Sequence, residues 1–259
     1  MKGAYLTIDD SPSKDMQAKV DFLFQQQIPA VFFCRGDFME ADPEPVIQAI
    51  RKGFVIANHS YNHPHFSDLD MDEAHLEIQQ THELIDRLYQ EADVNRPANW
   101  FRFPFGDKGD GRYGLVLNPL TDPRGQNRKA IIQAMLRHLG YDQPRFPQLS
   151  YQYYQQTGLA TDADWHWTYD TMEWSLTLAR PLKGLERLEG LLKRMDDPAP
   201  KDVRGQQSQG KNRWLSSSST EVILLHDHEE TTSIFEALIE GFVQRGIQFL
   251  PFSPLFQQG

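Results

Sequence analysis

The sequence contains a single cysteine among 259 residues, so an intramolecular disulfide is excluded. That residue, Cys34, closes the apolar run AVFFC and is predicted to be a buried small apolar side chain. No apolar run approaches the ~20 residues that a membrane-spanning helix requires. Positive charge is also scarce, with 26 Lys and Arg against 36 Asp and Glu and a formal net charge of −10. This balance argues against nucleic acid or an anionic membrane surface as a partner.

The rest of the composition is typical of a globular protein, with 39% apolar and 24% charged residues. A signal-peptide pattern is missing at the N-terminus, because a β-rich run begins directly after Lys2. The chain is therefore expected to be cytoplasmic, or secreted or periplasmic if a targeting segment has been removed. The sequence predicts no particular oligomeric state.

Short β-rich runs alternate with segments of helical periodicity along the chain. Seven strands are predicted, at residues 4–8, 30–33, 54–57, 100–103, 167–169, 221–225 and 248–250. Such alternation predicts parallel strands joined by helical crossovers. We therefore expect an α/β fold, a (β/α) barrel with about seven parallel strands in a single domain, with an open sheet as the alternative. Polar, Gly- and Pro-rich loop insertions are predicted around residues 106–126, 142–165 and 196–220.

Reactive side chains recur where the predicted strands end. Five of the seven strand ends carry them: Asp9 and Asp10, then His59 and His63, Arg102, Asp170 with Trp174, and His226. Because the carboxyl ends of parallel barrel strands meet at one face, these side chains are expected to converge there. The shared location predicts a catalytic site.

The pair His59 and His63 predicts a metal site when it is combined with one of the two aspartates. Two imidazoles and one carboxylate can bind a divalent cation and leave positions open for water and substrate, as in catalytic zinc sites. The alternative is two surface loop histidines. The second aspartate would be free to act as a general base on a water activated by the cation.

Two further residues complete a hydrolytic interpretation. Arg102 is expected to hold the base aspartate by a bidentate contact. His226 is a candidate acid for the leaving group, with Asp170 raising its pKa through an opposite charge. The alternative for His226 is a histidine at the edge of the core that bonds a backbone group. The remaining histidines, His228 among them, are taken as surface or structural residues.

The ordered stretches TIDD, HSYNHP, RFPFG, DTMEW and ILLHD resemble the five motifs of the polysaccharide deacetylase family. This family is also called the NodB homology domain or carbohydrate esterase family 4, and the resemblance runs from about Tyr5 to Asp227. It implies a distorted (β/α) barrel that hydrolyses N-acetyl, sometimes O-acetyl, groups on sugars with one divalent cation, usually zinc. Ile8 and Ser11 stand where the family usually has an aromatic residue and glycine.

The resemblance also implies a role for each candidate residue. Asp9 is the expected base and Arg102 the residue that orients it, while His226 is the expected acid and Asp170 the residue that tunes its pKa. The expected metal ligands are Asp10, His59 and His63. The Phe105 N–H is the expected oxyanion donor, and Trp174 and Leu224 are the expected walls of the acetyl pocket. The expected substrate is an N-acetylated sugar, oligosaccharide or polysaccharide. The alternatives are a deformylase or other amidase on the same scaffold, and a non-catalytic glycan-binding protein.

Aromatic residues are frequent in the second predicted insertion and just after it. They are Tyr151, Tyr153, Tyr154, Trp165 and Trp167. The sequence leaves two roles for these residues: they stack on sugar rings, or they pack the insertion onto the barrel.

Overall fold

The computed structural model describes residues 1–111, 123–156, 158–197 and 214–256. The strands in these ranges are β1 Lys2–Ser11, β2 Ala30–Cys34, β3 Val55–Asn58, β4 Tyr169–Asp170, β5 Glu221–His226 and β6 Ile247–Phe249. The helices are α1 Met16–Gln25, α2 Gly36–Ala41, α3 Glu44–Arg51, α4 Met71–Glu91, α5 Pro123–His138, α6 Gln152–Gln156, α7 Leu188–Arg194 and α8 Thr232–Gln244. Short 3₁₀ turns include Pro104–Gly106 and Glu173–Thr177.

The described strands form one parallel sheet in the order β3-β2-β1-β5-β4, and β6 pairs with the first residues of β1. The α/β class with parallel strands is confirmed. The sheet has six strands in the described residues rather than about seven. The predicted strand at 100–103 makes only one bridge, between Asn58 and Phe101. The chain reaches Pro104 directly afterwards, and a residue without an N–H cannot extend the pairing.

The two faces of the sheet are covered differently. Ala4, Leu6 and Ile8 of β1 pack with apolar residues of α1, α3, α4 and α8. Tyr5, which points to the opposite face, packs in a second cluster rich in aromatic residues. Because side chains alternate along a strand, Thr7 and Asp9 follow Tyr5 onto that second face. The side of β1 that carries Asp9 is therefore the face opposite α1, α3, α4 and α8.

Three of the five aromatic residues selected in and just after the second predicted insertion belong to the core. Trp165, Tyr154 and Trp167 are 0%, 2% and 8% exposed, so packing is their role in this structure. Tyr151 and Tyr153 are partly buried and stack on each other, with ring centroids 5.5 Å apart. Parts of the other two predicted insertions, residues 112–122 and 198–213, lie outside the described residues. The single-domain organisation stays a prediction.

Helix α4 begins directly after the loop that carries the two motif histidines. The Asp70 side chain caps its N-terminus by accepting the Glu73 N–H, and the Glu73 side chain accepts the Asp70 N–H. The two bonds together form a capping box. The buried residues of α4 recur at helical spacing, as Ala74, Ile78, Leu84, Ile85 and Leu88 do. Within the described part of the chain, no helix combines the length and apolarity needed to cross a membrane.

Candidate active site and metal centre

The structure brings the predicted site residues to one end of the sheet. Asp9 and Asp10 lie near the end of β1, Asp170 and His226 end β4 and β5, and His59 follows β3 directly. The register aligns Asp9 with His226 across β1 and β5. Convergence at the carboxyl ends of parallel strands therefore occurs as the strand pattern predicts.

Asp10, His59 and His63 form a cluster suited to a metal ion. Their ligand atoms all lie within 4.8 Å of one another. Oδ1 of Asp10 is 2.9 Å from Nε2 of His63 and 3.4 Å from Nε2 of His59. This oxygen is buried, yet it accepts no hydrogen bond of acceptable geometry from the described residues. An unsatisfied carboxylate oxygen between two imidazole nitrogens fits a divalent cation.

A backbone contact sets the tautomer of His59. Its Nδ1 lies 2.8 Å from the carbonyl oxygen of Arg102. A carbonyl can only accept, so Nδ1 is a donor and, in the neutral imidazole, Nε2 presents its lone pair toward Asp10. This arrangement is the usual way in which a metal-binding histidine is oriented.

The pKa values of the other two candidate ligands favour metal binding. Burial raises the pKa of the Asp10 carboxyl, but His228, His59 and His63 more than offset it and hold this pKa well below its usual range. Burial lowers the pKa of His63, and the charge of Arg35 contributes in the same direction. Both groups are therefore biased toward the unprotonated form that a cation requires.

Asp9 is held by Arg102 through a single contact. Nη1 of Arg102 donates to Oδ1 of Asp9 at 2.7 Å and to the Thr7 hydroxyl at 2.8 Å. The predicted bidentate contact is wrong, since Nε and Nη2 have no partner among the described residues. The guanidinium is fully buried and lies 4.3 Å from the Phe33 ring centroid, and this packing directs only one nitrogen at the carboxylate.

His226 is paired with Glu173, which the sequence analysis did not select. The two residues are 3.0 Å apart between Nδ1 and Oε1, and the same oxygen accepts the backbone N–H of His226 at 2.6 Å. Burial lowers the pKa of His226, but the hydrogen bond and charge of Glu173 outweigh it and raise this pKa to about 10. His226 is therefore protonated at neutral pH, as an acid must be.

Asp170, the predicted partner of His226, makes other contacts. It accepts the N–H of Met172 at 2.8 Å and the indole N–H of Trp174 at 3.3 Å. Burial raises the pKa of Asp170, and the charge of His226 opposes this rise, so the two groups interact only through their charges. The chain turns back through Met172 at φ 65, which brings Glu173 rather than Asp170 against the imidazole.

The remaining predicted site residues are Phe105, Leu224 and Trp174. Phe105 has φ 57, and its half-exposed ring stacks on His65 and meets the edge of His63. Leu224 is buried on β5, two residues before His226 and therefore on the same face. Trp174 is fixed by its contact with Asp170. The roles of these three residues stay predictions.

His228 belongs to the site, although the sequence analysis took it as a surface or structural residue. Its Nε2 donates to Oδ2 of Asp10 at 2.8 Å, and its ring stacks on His226 with centroids 5.2 Å apart. Oδ2 is therefore occupied, which leaves Oδ1 as the atom that faces His59 and His63. The alternating pattern HDH at the end of β5 is the sequence signal that marks both histidines.

Replacing His228 by alanine should weaken metal binding roughly 10-fold, because residues that orient a metal ligand typically contribute 10- to 100-fold to affinity. Competition with a chromophoric chelator would measure the dissociation constant. His138→Ala, at an exposed position in the last turn of α5, is the control. Equal affinities for the His228 variant and the parent protein would show that Asp10 needs no such support.

A groove of about 650 Å³ opens beside the metal cluster. Asp10 and His228 are among the residues that line it, together with Lys14, Arg35 and Phe38. The Phe38 ring stacks on the Arg35 guanidinium, with Cζ of Arg35 3.8 Å from the centroid of the ring. The groove is large enough to hold sugar units next to the candidate metal centre.

Comparisons with known proteins relate this chain to polysaccharide deacetylases. Residues 1–114 match the family model described as Polysaccharide deacetylase. A peptidoglycan-N-acetylglucosamine deacetylase of Bacillus cereus is 34% identical over 103 residues, covering 39% of this chain and 36% of its own. A chitooligosaccharide deacetylase of Rhizobium leguminosarum bv. trifolii is 32% identical over 85 residues, covering 32% and 40%. The chain thus matches only about two fifths of these relatives' lengths.

A solved structure extends the likeness of fold over nearly the whole chain. The family 4 carbohydrate esterase from Streptomyces lividans, in complex with acetate, aligns with a TM-score of 0.58 at 19% identity. The alignment covers 98% of this chain and 94% of the esterase. It therefore includes the segment of Glu173 and His226, which lies beyond the residues matched by the family model.

Proposed function

We propose that this chain is a carbohydrate esterase family 4 protein of the polysaccharide deacetylase type, a metal-dependent hydrolase that removes N-acetyl groups from sugars. The observation that carries the proposal is the unsatisfied Oδ1 of Asp10 between Nε2 of His59 and Nε2 of His63, with Asp9 directly beside it. The relatives named as peptidoglycan and chitooligosaccharide deacetylases support the same reaction class.

The donor set supports a divalent cation, and zinc is the one we propose. Two imidazoles and one carboxylate suit its borderline character and leave coordination positions for the reactants. A cation held by Asp10, His59 and His63 would supply Lewis-acid catalysis at the amide carbonyl. A set of two histidines and one carboxylate also suits other transition metals, so the metal has to be identified by experiment.

The protein's own residues then divide the proton transfers. Asp9 accepts the proton of the attacking water, and Arg102 keeps its carboxylate in place through the 2.7 Å contact. The Phe105 N–H is proposed to donate to the oxygen that gains charge when the carbonyl is attacked. His226, protonated through Glu173, delivers a proton to the departing amine nitrogen.

The substrate is proposed to be an N-acetylated oligosaccharide or polysaccharide. Trp174 and Leu224 would shape the acetyl pocket, and the groove at Asp10 and His228 offers room for neighbouring sugar units. The relatives' names do not favour a deformylase, another amidase or a non-catalytic glycan-binding protein.

Acetate release tests the proposal directly. Zinc-reconstituted protein incubated with short N-acetylglucosamine oligomers should release acetate, and EDTA should stop the release until metal is returned. EDTA would remove the cation without changing any side chain, so re-addition separates metal loss from denaturation. If neither these oligomers nor formamido and O-acetylated sugars are hydrolysed although the protein binds zinc and the oligomers, the catalytic proposal fails and a glycan-binding role replaces it.

A further inference from the structure

The turn that carries the metal-binding histidines has an unusual backbone. Ser60 and His63 both adopt left-handed conformations, with φ values of 64° and 59°. Such conformations are disfavoured for residues with a Cβ atom and persist only where the surroundings hold them. The geometry of the turn must therefore be maintained by its neighbours.

The carboxylate of Glu77 is the main partner of this turn on the side of α4. Its Oε2 accepts the backbone N–H groups of Tyr61 and Asn62, each at 2.8 Å. Its Oε1 accepts the side-chain N–H of Asn62, also at 2.8 Å. Successive backbone N–H groups that converge on one anion form a concave site of the kind that organises a turn around a negative charge.

Glu77 occupies a position where the helix pattern calls for an apolar residue. It is 8% exposed and lies between Ala74 and Ile78 in the buried face of α4. A buried carboxylate is costly unless hydrogen bonds satisfy it, and the turn provides three. Glu83 on the same helix is exposed and accepts a hydrogen bond from the side chain of Gln79.

His63 depends on the turn more than His59 does. The His59 ring is fixed directly by the bond from its Nδ1 to the Arg102 carbonyl. Among the described residues, no comparable bond is made by Nδ1 of His63. Its ring is placed by the backbone of the turn and by contacts with His59 and Phe105, at centroid distances of 4.9 Å and 4.5 Å.

We propose that Glu77 is a positioning residue of the metal centre: by binding the N–H groups of Tyr61 and Asn62, it holds the turn in the conformation that directs Nε2 of His63 at Asp10. The proposal rests on the metal centre proposed above, but not on the identity of the substrate. It predicts that Glu77 controls metal affinity without touching the metal. The effect should depend on hydrogen-bond acceptance rather than on charge alone.

Two substitutions at Glu77 separate these possibilities. Glu77→Leu fits the apolar face of α4, so we expect the fold to be retained, but it removes both carboxylate acceptors of the Tyr61 and Asn62 N–H groups. Glu77→Gln keeps one carbonyl oxygen for the two backbone N–H groups, and its amide can meet the flipped side chain of Asn62. Glu83→Leu is the matched control, because it makes the same change on the exposed side of the same helix.

The measurements are the Zn²⁺ dissociation constant by chelator competition, the visible spectrum of the Co²⁺ form, and thermal unfolding of the chelator-treated proteins. We expect Glu77→Leu to weaken Zn²⁺ binding about 10- to 100-fold and to alter the Co²⁺ spectrum, while the metal-free protein remains folded. Glu77→Gln and Glu83→Leu should stay close to the parent protein in both respects.

Several outcomes would overturn the proposal. Parent-like Zn²⁺ affinity in Glu77→Leu would do so, as would an equal loss in Glu83→Leu. Unfolding of the metal-free Glu77→Leu protein would also overturn it, because Glu77 would then be needed for the fold as a whole rather than for the metal centre. A parent protein that binds no metal would remove its premise. Weak binding in Glu77→Leu with no acetate release from the parent would leave the inference standing and reject the deacetylase function instead.

Discussion

Asp10→Ala should abolish metal binding and deacetylation together. The substitution removes the carboxylate whose Oδ1 lies between the two imidazoles and whose Oδ2 accepts from His228. His59 and His63 alone make a two-ligand site, which is too few for a catalytic zinc site. The bound metal would be measured by elemental analysis after dialysis, and turnover by acetate release.

Asp9→Asn is the informative comparison, because the two aspartates are adjacent in the sequence. An amide at this position cannot accept the proton from water, so kcat should fall by about 10²- to 10⁴-fold, the range associated with a general base. Metal content should be retained, since Oδ1 of Asp10 is unchanged. An Asp10→Ala protein that turns over without metal would falsify the assignment of both residues.

Glu173→Gln should move the alkaline limit of activity to lower pH. In the parent, the carboxylate raises the pKa of His226 to about 10, so the imidazole stays protonated as the pH rises through neutrality. Without that charge, burial lowers the pKa of His226, and the acid form is lost at a lower pH. Each unit of decrease costs about tenfold in the protonated fraction above the new pKa.

The pH profile of kcat/KM would measure this shift, with Asp170→Asn as the matched variant. Asp170 interacts with His226 only through charge and holds Trp174 instead, so its substitution should change the alkaline limit less than Glu173→Gln does. A larger shift of the alkaline limit in Asp170→Asn than in Glu173→Gln would show that Asp170, as the motif predicts, is the residue that tunes His226. Identical profiles in all three proteins would show that His226 is not the acid.

Much of the site could be predicted because it depends on regular features of the chain. Alternating strands and helices predict parallel strands, and parallel strands place Asp9, Asp10, Asp170 and His226 at one end of the sheet. The spacing of His59 and His63 predicts that both side chains bind one metal ion, even though the segment is a turn rather than a helix. These features follow from local periodicity and covalent spacing, which a sequence displays directly.

The hydrogen-bond partners of those residues could not be predicted from the sequence, because they depend on how separate segments turn and pack. A left-handed residue at Met172 decides that Glu173, not Asp170, bonds His226. The stacking of Arg102 on Phe33 leaves one contact to Asp9 where a bidentate pair was predicted.

The same limit applies to His228, which is 218 residues from Asp10, and to Glu77, which is 16 residues from Tyr61 and on a different element. The sequence by itself determined which chemical groups this protein brings together at the ends of its strands. Only the tertiary structure decided which of them touch, since hydrogen bonds between distant segments depend on backbone turns that no periodicity encodes.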